Sequence, residues 1–436
     1  MALLQALLAK LLPVPDSWST STSTPKAEGS IDCLPCDNYA ELVIAWRKAL
    51  RWTDGLDHAL AAMLASISST KVVGDQLWLK VVGPAACGKS TLCEALSTNT
   101  KYVVAKSTIR GFHSGYRLEE DGRKGGSDCS LIPTIRDKTL VTKDGDTLLQ
   151  SPNLSQILSE ARDLYDTTAR TSYRNAMSHD YSGVRMTWIL CGTASLRQID
   201  SSELGERFLD VVIMEGIDDE LEDEVLWRVA NRANRNMGIE ANGKPETQYE
   251  PELAEAMRRT GGYVTWLREH AVENMAAIET PTWALRRCMR LGKFVAYLRA
   301  RPSRYQEETA EREFAARLVS QLTRLAKCLA LVLNLSEVDE QVMQRVRRVA
   351  LDTGRGQTLT LMRHLHDVKP EEATARKLGL LMNTTEERAK SLLRFLRSIE
   401  AVESHTQKIR GYCEVLLWRL APRVRDLYEE VLECRE

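Results

Sequence analysis

Apolar residues recur along the chain at spacings that alternate between those typical of strands and of helices. Short apolar runs predict buried strands at 77–82, 102–105, 139–142, 186–191 and 211–213. Most of the sequence between these runs has apolar residues three and four positions apart, which predicts helices. Strands that alternate with helices favour a parallel α/β sheet.

The pattern becomes almost wholly helical after residue 216. Near the C-terminus, residues 358–366, 373–380 and 386–399 predict three helices, and 401–403 and 412–418 predict the two strands of a wing. We therefore predict four parts: an N-terminal helix and flexible linker (1–38), a sheet domain (39–230), a helical lid (231–355) and a C-terminal winged helix-turn-helix (356–436).

Composition and charge are those of a soluble globular protein. The chain is 43% hydrophobic and 27% charged, and 59 Lys and Arg oppose 60 Asp and Glu, for a net charge of −1. Contact with nucleic acid must therefore come from a local basic patch. No apolar run approaches the ~20 residues that span a bilayer. Residues 1–12 are apolar but lack the basic start of a signal peptide.

The ten cysteines are scattered through predicted core elements, which suits free thiols in a reducing compartment. Cys33 and Cys36 have the spacing of metal ligands, but no second ligand pair follows them. We therefore expect a cytoplasmic protein, without a membrane partner, in which these two thiols have a structural role. A metal or redox role for them is the alternative.

The most informative motif follows the first predicted strand and precedes a predicted helix at 89–96. It fits the phosphate-loop pattern GxxxxGK[ST] and consists of Gly83, Pro84, Ala85, Ala86, Cys87, Gly88, Lys89, Ser90 and Thr91. Its glycines allow a tight turn that aims backbone N–H groups and a helix N-terminus at a phosphate. We expect Lys89 to contact the β- and γ-phosphates, Ser90 to bind Mg²⁺ and Thr91 to support it.

Acidic residues follow the strand at 139–142, where Mg²⁺ and an attacking water need a carboxylate. They are Asp144 and Asp146, and Lys143 precedes them. The sequence also places Gly192 and Thr193 at the end of the strand that begins at Met186.

The order of these parts resembles that of an AAA+ ATPase, and within that superfamily the branch of the minichromosome-maintenance helicases and their relatives on viruses and mobile elements. Four stretches carry the resemblance: the phosphate loop, 143–148, Gly192–Thr193 with 204–208, and 317–326. Residues 107–114 also resemble that family's Ser/Gly-rich segment. The resemblance implies a prokaryotic, viral or mobile-element protein with ATP and Mg²⁺ as cofactors.

The resemblance also implies roles for single residues. Asp144 stands for the catalytic glutamate and a candidate metal ligand, with Asp146 beside it, and Lys143 replaces the metal-site aspartate of the family. Thr193 is similar to the γ-phosphate sensor. An ordinary strand-end threonine is the alternative for that position.

Two arginine positions are implied to act across subunits or from the lid. Arg207 resembles an arginine finger that reaches a neighbouring subunit, which implies a ring or filament, a hexamer by analogy. A surface arginine is the alternative. Arg317, with Arg324 seven residues later, resembles the second sensor, and a solvated helix face is the alternative.

DNA is the expected partner. A hairpin before the strand at Met186 is implied to enter the pore of the ring, where Arg174 would hold phosphates and Tyr173 and Tyr181 could stack on bases. In the predicted winged helix, Lys390, Arg394 and Arg397 lie away from the apolar face of the third helix. Protein contact is the alternative use of such a domain.

The sequence thus predicts an ATP-hydrolysing, oligomeric DNA helicase or translocase of replication. An ATP-gated switch that loads or regulates a replication or transposition partner, and a defence-type signalling ATPase, are the alternatives. Lys143 favours the switches, and the resemblance at 317–326 favours the motor.

Overall fold

The computed structural model describes residues 32–115, 128–173, 178–198, 207–213, 251–300, 314–368, 370–409 and 413–432, with 223, 226, 227 and 230 as isolated residues. Residues 1–31 of the predicted N-terminal helix and linker lie outside the described residues. So do Arg174, most of the segment leading to Arg207, and residues 214–222.

A five-stranded parallel sheet forms the centre of the described chain. Its strands are β1 (Trp78–Val82), β2 (Val103–Lys106), β3 (Lys138–Thr142), β6 (Met186–Gly192) and β7 (Phe208–Val212), in the order β2-β3-β6-β1-β7. An antiparallel hairpin of β4 (Thr168–Ser172) and β5 (Ser178–Ser182) precedes β6. The predicted parallel α/β sheet is confirmed, and each strand begins or ends within about three residues of its apolar run.

Helices lie before, between and after the strands. Before and between the strands are α1 (Tyr39–Ala49), α2 (Asp54–Ser69), α3 (Lys89–Ser97), α4 (Ile132–Ile135), α5 (Gly145–Leu149) and α6 (Leu154–Tyr165). After the sheet come α7 (Pro251–Ala277), α8 (Thr282–Arg299), α9 (Ala316–Val332) and α10 (Glu340–Thr353). None of the described helices is long and apolar enough to cross a membrane.

The two faces of the sheet are buried by different parts of the chain. On one face, Trp78 packs edge-on against Trp188 with 5.6 Å between ring centroids, and Phe112 packs on Trp188 in the same way at 5.5 Å. The other face lies under α2 and α3, and α1 and α7–α10 continue that core. Strands buried on both faces need continuous apolar runs, which explains their pattern in the sequence.

The helices before β1 pack on helices far along the chain. Trp46 of α1 donates from Nε1 to the hydroxyl of Thr260 in α7 at 3.1 Å, and Tyr263 donates to the carbonyl of Val332 in α9 at 2.7 Å. The predicted sheet and lid regions therefore share one hydrophobic core.

The C-terminal region contains α11 (Gln357–Asp367), α12 (Ala375–Leu381), α13 (Glu386–Ser398), the hairpin β8 (Val402–Ile409) and β9 (Cys413–Leu420), and α14 (Pro422–Leu432). Thr374 and Thr385 cap α12 and α13 by accepting from the backbone N–H of the third residue of each helix. Backbone hydrogen bonds between Ala373 and Trp418 join the hairpin to the start of α12. The three predicted helices and the two strands predicted after them are present.

Candidate functional site

The phosphate-loop motif forms a tight turn between β1 and α3. Gly88 has a φ of 93°, in the left-handed region that favours glycine, and Ala86 has a φ of 61°. A Cβ on Gly88 would lie 2.9 Å from a methyl group of Leu56 in α2. The loop therefore needs glycine at this position both for its backbone conformation and for its contact with α2.

Lys89 is folded back over the loop. Its Nζ donates to the carbonyl oxygens of Gly83, at 2.8 Å, and Pro84, and lies 3.5 Å from the Sγ of Cys87. Ser90 is exposed at the start of α3. Because backbone carbonyls hold the ammonium over the loop, it can exchange them for the oxygens of a bound phosphate.

The loop occupies the carboxyl edge of the sheet at a point where chain connections diverge. β1 lies between β6 and β7, and the backbone N–H of Gly83 donates to the carbonyl of Gly192 at 3.2 Å. The chain leaves β1 toward β2, on one side, and leaves β6 toward β7, on the other. Such a divergence opens a crevice outside the strand ends, where α/β proteins bind ligands.

Thr193 and Asp146 meet beside this crevice. Thr193, directly after β6, donates from its backbone N–H and its hydroxyl to the two carboxylate oxygens of Asp146 at 2.9 and 3.1 Å. The hydroxyl of Ser195 lies 2.9 Å from that of Thr193. Asp146 thus orients Thr193, the predicted sensor. The carboxylate that the sequence predicts to be catalytic is Asp144, two residues earlier.

Asp144 has a local structural partner. It is the N-cap of α5 and accepts from the backbone N–H of Thr147 at 3.2 Å and from the hydroxyl of the same residue. Its carboxylate is exposed, but both oxygens are engaged by the first turn of α5. Each oxygen can still accept a further hydrogen bond, so the cap leaves the catalytic role expected for Asp144 open.

Lys143 turns toward the phosphate-loop helix. Its Nζ lies 3.5 Å from a carboxylate oxygen of Glu94, and both side chains are about one-third exposed. Glu94 is four residues after Ser90 in α3, so the two share one helix face. A positive charge therefore lies where the sequence resemblance implies a metal-binding aspartate.

These contacts bear on whether Mg²⁺ fits the site. Magnesium in nucleotide sites is held by carboxylates together with phosphates and water. Asp144 caps α5, Asp146 holds Thr193, and Glu94 lies beside Lys143. No group of three or more His, Cys, Asp or Glu side chains gathers as a metal site in the described part of the chain. With a lysine rather than a carboxylate at the end of β3, next to the helix that carries Ser90, the side chains present do not fit Mg²⁺.

Arg207 lies at the opposite edge of the sheet, directly before β7. Its Nη2 is 2.9 Å from the carboxylate of Asp166, and its side chain is only 7% exposed. The guanidinium also lies 5.3 Å from the ring centroid of Tyr165. It is neither the surface arginine of the alternative hypothesis nor, in this conformation, an extended finger.

Arg317 shares this edge of the molecule. Burial raises the pKa of Tyr165, and the positive charges of Arg317 and Arg207 both oppose that rise. Gln321, one turn after Arg317 in α9, donates to the Tyr165 hydroxyl at 3.0 Å and to the Arg207 carbonyl at 3.1 Å. Arg207 and Arg317 therefore lie away from the phosphate loop of their own chain.

Arg324 has a different role. Its guanidinium donates to the carbonyl oxygens of Ser69, Val72 and Val73, where α2 ends. These bonds satisfy carbonyls that have no partner within the helix. The Arg324 side chain therefore ties α9 to the end of α2.

The β4–β5 hairpin is anchored by a cluster of rings. His179 is buried, lies 3.1 Å through Nε2 from the carbonyl oxygen of Ser114, and stacks on Tyr181 at 5.6 Å. Tyr181 donates to Asp128, and Tyr173 packs edge-on against His179 at 6.0 Å. These tyrosines, expected to stack on bases, pack within the chain. Arg174 lies outside the described residues.

The exposed face of α13 carries the predicted basic residues. Arg394 and Arg397 are exposed, whereas Leu393 and Leu396 are buried in the core. Lys390 is half-buried and lies 2.7 Å from Glu386, one turn earlier. Two of the three predicted cations thus face solvent, and the third is partly neutralised by its own helix.

Sequence reasoning missed the Glu94–Lys143 pair and a buried ion pair within the sheet. Lys80 of β1 lies 3.1 Å from Asp210 of β7, and both side chains are less than 10% exposed. The sequence signal for the Lys80–Asp210 pair was a single charged residue in the middle of each of two apolar strands. Glu94 had no signal beyond its position four residues after Ser90.

Neither the protein-family models nor the curated proteins compared with this chain give a match.

Proposed function

We propose that this chain is an AAA+-type protein that binds ATP at residues 83–91 and uses the bound nucleotide to control an interaction with DNA. The observation that carries the proposal is the convergence of three features at one crevice. These are the glycine-dependent loop between β1 and α3, the lysine folded over that loop, and the Thr193–Asp146 contact at the end of β6. Together they supply phosphate contacts and a polar group oriented toward the same edge.

Between the motor and the switch, the contacts favour the switch. A motor needs fast hydrolysis, which in phosphate-loop enzymes uses a metal-bound phosphate and a carboxylate that orients water. Here Lys143 contacts Glu94, on the helix face that also carries Ser90, and Asp144 caps α5. Slow hydrolysis would suit a switch, because the conformation that ATP binding produces would then persist.

Association into a ring or filament is part of the proposal. Arg207 and Arg317 lie at the edge of the sheet opposite the phosphate loop. If they serve a nucleotide, it is one held by another copy, which requires head-to-tail contact. Such contact joins two different faces and therefore produces a closed ring or an open filament.

The C-terminal region supplies the proposed DNA contact. Three helices followed by an antiparallel hairpin match the arrangement of a winged helix-turn-helix, in which one helix enters the major groove. The exposed Arg394 and Arg397 on α13 are suited to phosphates. Leu380 and Leu381, exposed at the end of α12, keep protein contact open as a second use.

The proposal is tested by measuring affinity for a DNA duplex with and without ATP. The wild type should bind DNA with an affinity that changes on adding ATP. Lys89→Ala should remove the response to ATP while leaving the fold intact, because Nζ contacts only the loop among the partners described. Replacing Lys390, Arg394 and Arg397 together by Ala should weaken DNA binding and flatten its dependence on salt, because fewer counterions are released.

The two variants test different halves of the proposal. If Lys89→Ala responds to ATP like the wild type, the nucleotide site is wrong. If the triple variant binds DNA with the wild-type salt slope, α13 is not the DNA-binding element, and protein contact becomes the better hypothesis. Arg286→Ala is the matched control, since Arg286 is exposed on α8, outside both elements expected to contact DNA.

A further inference from the structure

The ion pair between Lys143 and Glu94 joins the end of β3 to the phosphate-loop helix. β3 ends at Thr142, which is level with Leu190 of β6 and, through it, with Lys80 of β1. Lys143 therefore leaves the sheet at the edge where the phosphate loop begins. Its Nζ contacts Glu94 at 3.5 Å, one helical turn from Ser90.

The pair puts a second ammonium beside α3, the helix that follows the phosphate loop. Lys89 is the first, held over the loop by its carbonyl oxygens. Two ammonium groups at this end of the sheet disfavour a divalent cation and attract phosphate oxygens, because like charges repel each other. Lys143 is also about one-third exposed, so its side chain can move from Glu94 to a ligand.

We propose that Lys143 takes the place of the metal ion at this site, so that the chain binds a nucleoside triphosphate without a divalent cation. The proposal rests on the proposed nucleotide-binding function and states how that site neutralises its ligand. Lys89, Lys143, the loop N–H groups and the N-terminus of α3 together balance the charge of the triphosphate. Glu94 holds Lys143 in place until the triphosphate arrives.

A different assignment is possible from the same residues, in which Glu94 is the metal carboxylate and Lys143 only orients it. The two assignments make opposite predictions for two substitutions. If Lys143 replaces the metal, Lys143→Met removes metal-free binding, whereas Glu94→Gln retains it. If Glu94 binds the metal, Glu94→Gln weakens binding in Mg²⁺, and binding in a chelator is absent from the start.

The experiment is calorimetric titration of ATP into the full chain, once with MgCl₂ and once with EDTA. For the wild type we expect dissociation constants that agree within about threefold in the two buffers. Lys143→Met should bind at least about tenfold more weakly in EDTA. Lys143→Asp should in addition recover affinity when Mg²⁺ is supplied, because it restores a carboxylate at the end of β3.

Lys106→Asp is the matched control. Lys106 is the exposed last residue of β2, so this substitution makes the same charge change at the same edge of the sheet, two strands from β6. It should leave both dissociation constants within about twofold of the wild type. A large effect of Lys106→Asp would show that net charge, rather than the position of Lys143, controls binding, and would overturn the proposal.

The outcomes separate this inference from the proposed function. Wild-type binding that occurs only with Mg²⁺ overturns the metal-free site and leaves nucleotide binding standing. Binding in neither buffer overturns both. Binding in both buffers that survives in Lys143→Met shows that Lys143 is not the substituting charge and also overturns the inference. Circular dichroism of each variant checks its fold, and Lys143→Met avoids the carboxylate that Lys143→Asp places beside Glu94.

Discussion

Asp144 and Asp146 are two residues apart, yet their side chains have different partners. Asp146 holds Thr193 at the end of β6, beside the phosphate loop. Asp144 caps α5 through Thr147. Because Asp146 joins the end of β3 to the residue after β6, we expect its loss to disturb the site more than the loss of Asp144.

We therefore predict that Asp146→Asn lowers the rate of ATP hydrolysis more than Asp144→Asn does, by a further factor of about 100, the lower end of the contribution of a general base. Asparagine caps helices about as well as aspartate, so Asp144→Asn should stay fully folded. Single-turnover phosphate release measures both rates. If Asp144→Asn hydrolyses ATP more slowly than Asp146→Asn, Asp144 is the catalytic carboxylate, as the sequence predicts.

His58 is a buried titratable residue in α2. Its side chain is 2% exposed, and burial, followed by the charges of Arg348 and Arg345, lowers its pKa from 6.5 to about 3. The unfolded chain therefore binds this proton more readily than the folded one. Neutral His58 stabilises the fold fully above about pH 6.5, and that stability is lost as the pH falls toward 3.

His58→Leu should remove this pH dependence. Between pH 6 and pH 4 the free energy of unfolding of the wild type should fall more steeply, by up to about 1.4 kcal/mol per pH unit, than that of the variant. Urea denaturation at several pH values measures the slope. His270→Gln, at an exposed position in α7, should keep the wild-type slope. Equal slopes in wild type and His58→Leu would mean that His58 is solvated in the folded protein.

At the scale of elements, the sheet contains a charged pair in strands that are otherwise apolar. Lys80 and Asp210 are directly opposite in the register of β1 and β7, and Arg197 lies 3.8 Å from the second carboxylate oxygen. Removing one partner of a buried pair leaves an uncompensated charge, whereas removing both leaves a packed apolar pair. The double substitution should therefore destabilise the protein less than a single substitution does.

We predict that Asp210→Leu destabilises the protein by about 3–5 kcal/mol and that Lys80→Met with Asp210→Leu recovers most of this loss. Chemical denaturation of the two single variants and the double variant gives the coupling energy. Arg170 and Asp180 form the matched control, because they are also directly opposite in paired strands but are more than 60% exposed. Asp180→Leu should have a much smaller effect. Additive single effects at Lys80 and Asp210 would contradict the prediction.

The sequence predicted elements well and contacts between elements poorly. The strands, α3 and the C-terminal helices follow from spacings within ten or so residues, which the chain carries locally. The order of the strands, the role of Asp144 as a cap and the pairing of Lys143 with Glu94 depend on residues that become neighbours only when β3 and α3 pack on one sheet. Arg207 illustrates the limit, since its motif is local but its partner, Asp166, lies at the end of α6.

At the scale of the whole molecule, the proposed nucleotide site has its parts at two ends of the sheet. The phosphate loop and Thr193 lie at the carboxyl edge, and Arg207 precedes β7 at the other. A single chain cannot bring its phosphate loop and its Arg207 to the same nucleotide without unfolding the sheet. Arg207 would also have to leave Asp166, at a cost that a triphosphate on a neighbouring copy would offset.

Mixing of variants tests this arrangement. Lys89→Ala and Arg207→Ala should each abolish ATP hydrolysis, but an equal mixture should recover about one quarter of the wild-type rate, because one in four random head-to-tail contacts pairs an intact loop with an intact arginine. Phosphate release per mole of protein measures the recovery, and it should fall on dilution as the copies dissociate. Arg170→Ala mixed with Lys89→Ala is the control and should keep about half the rate, since only the loop is missing from half of the copies. If the first mixture stays inactive while both variants are folded and associate in ATP, Arg207 does not complete a neighbour's site, and its role lies within its own chain.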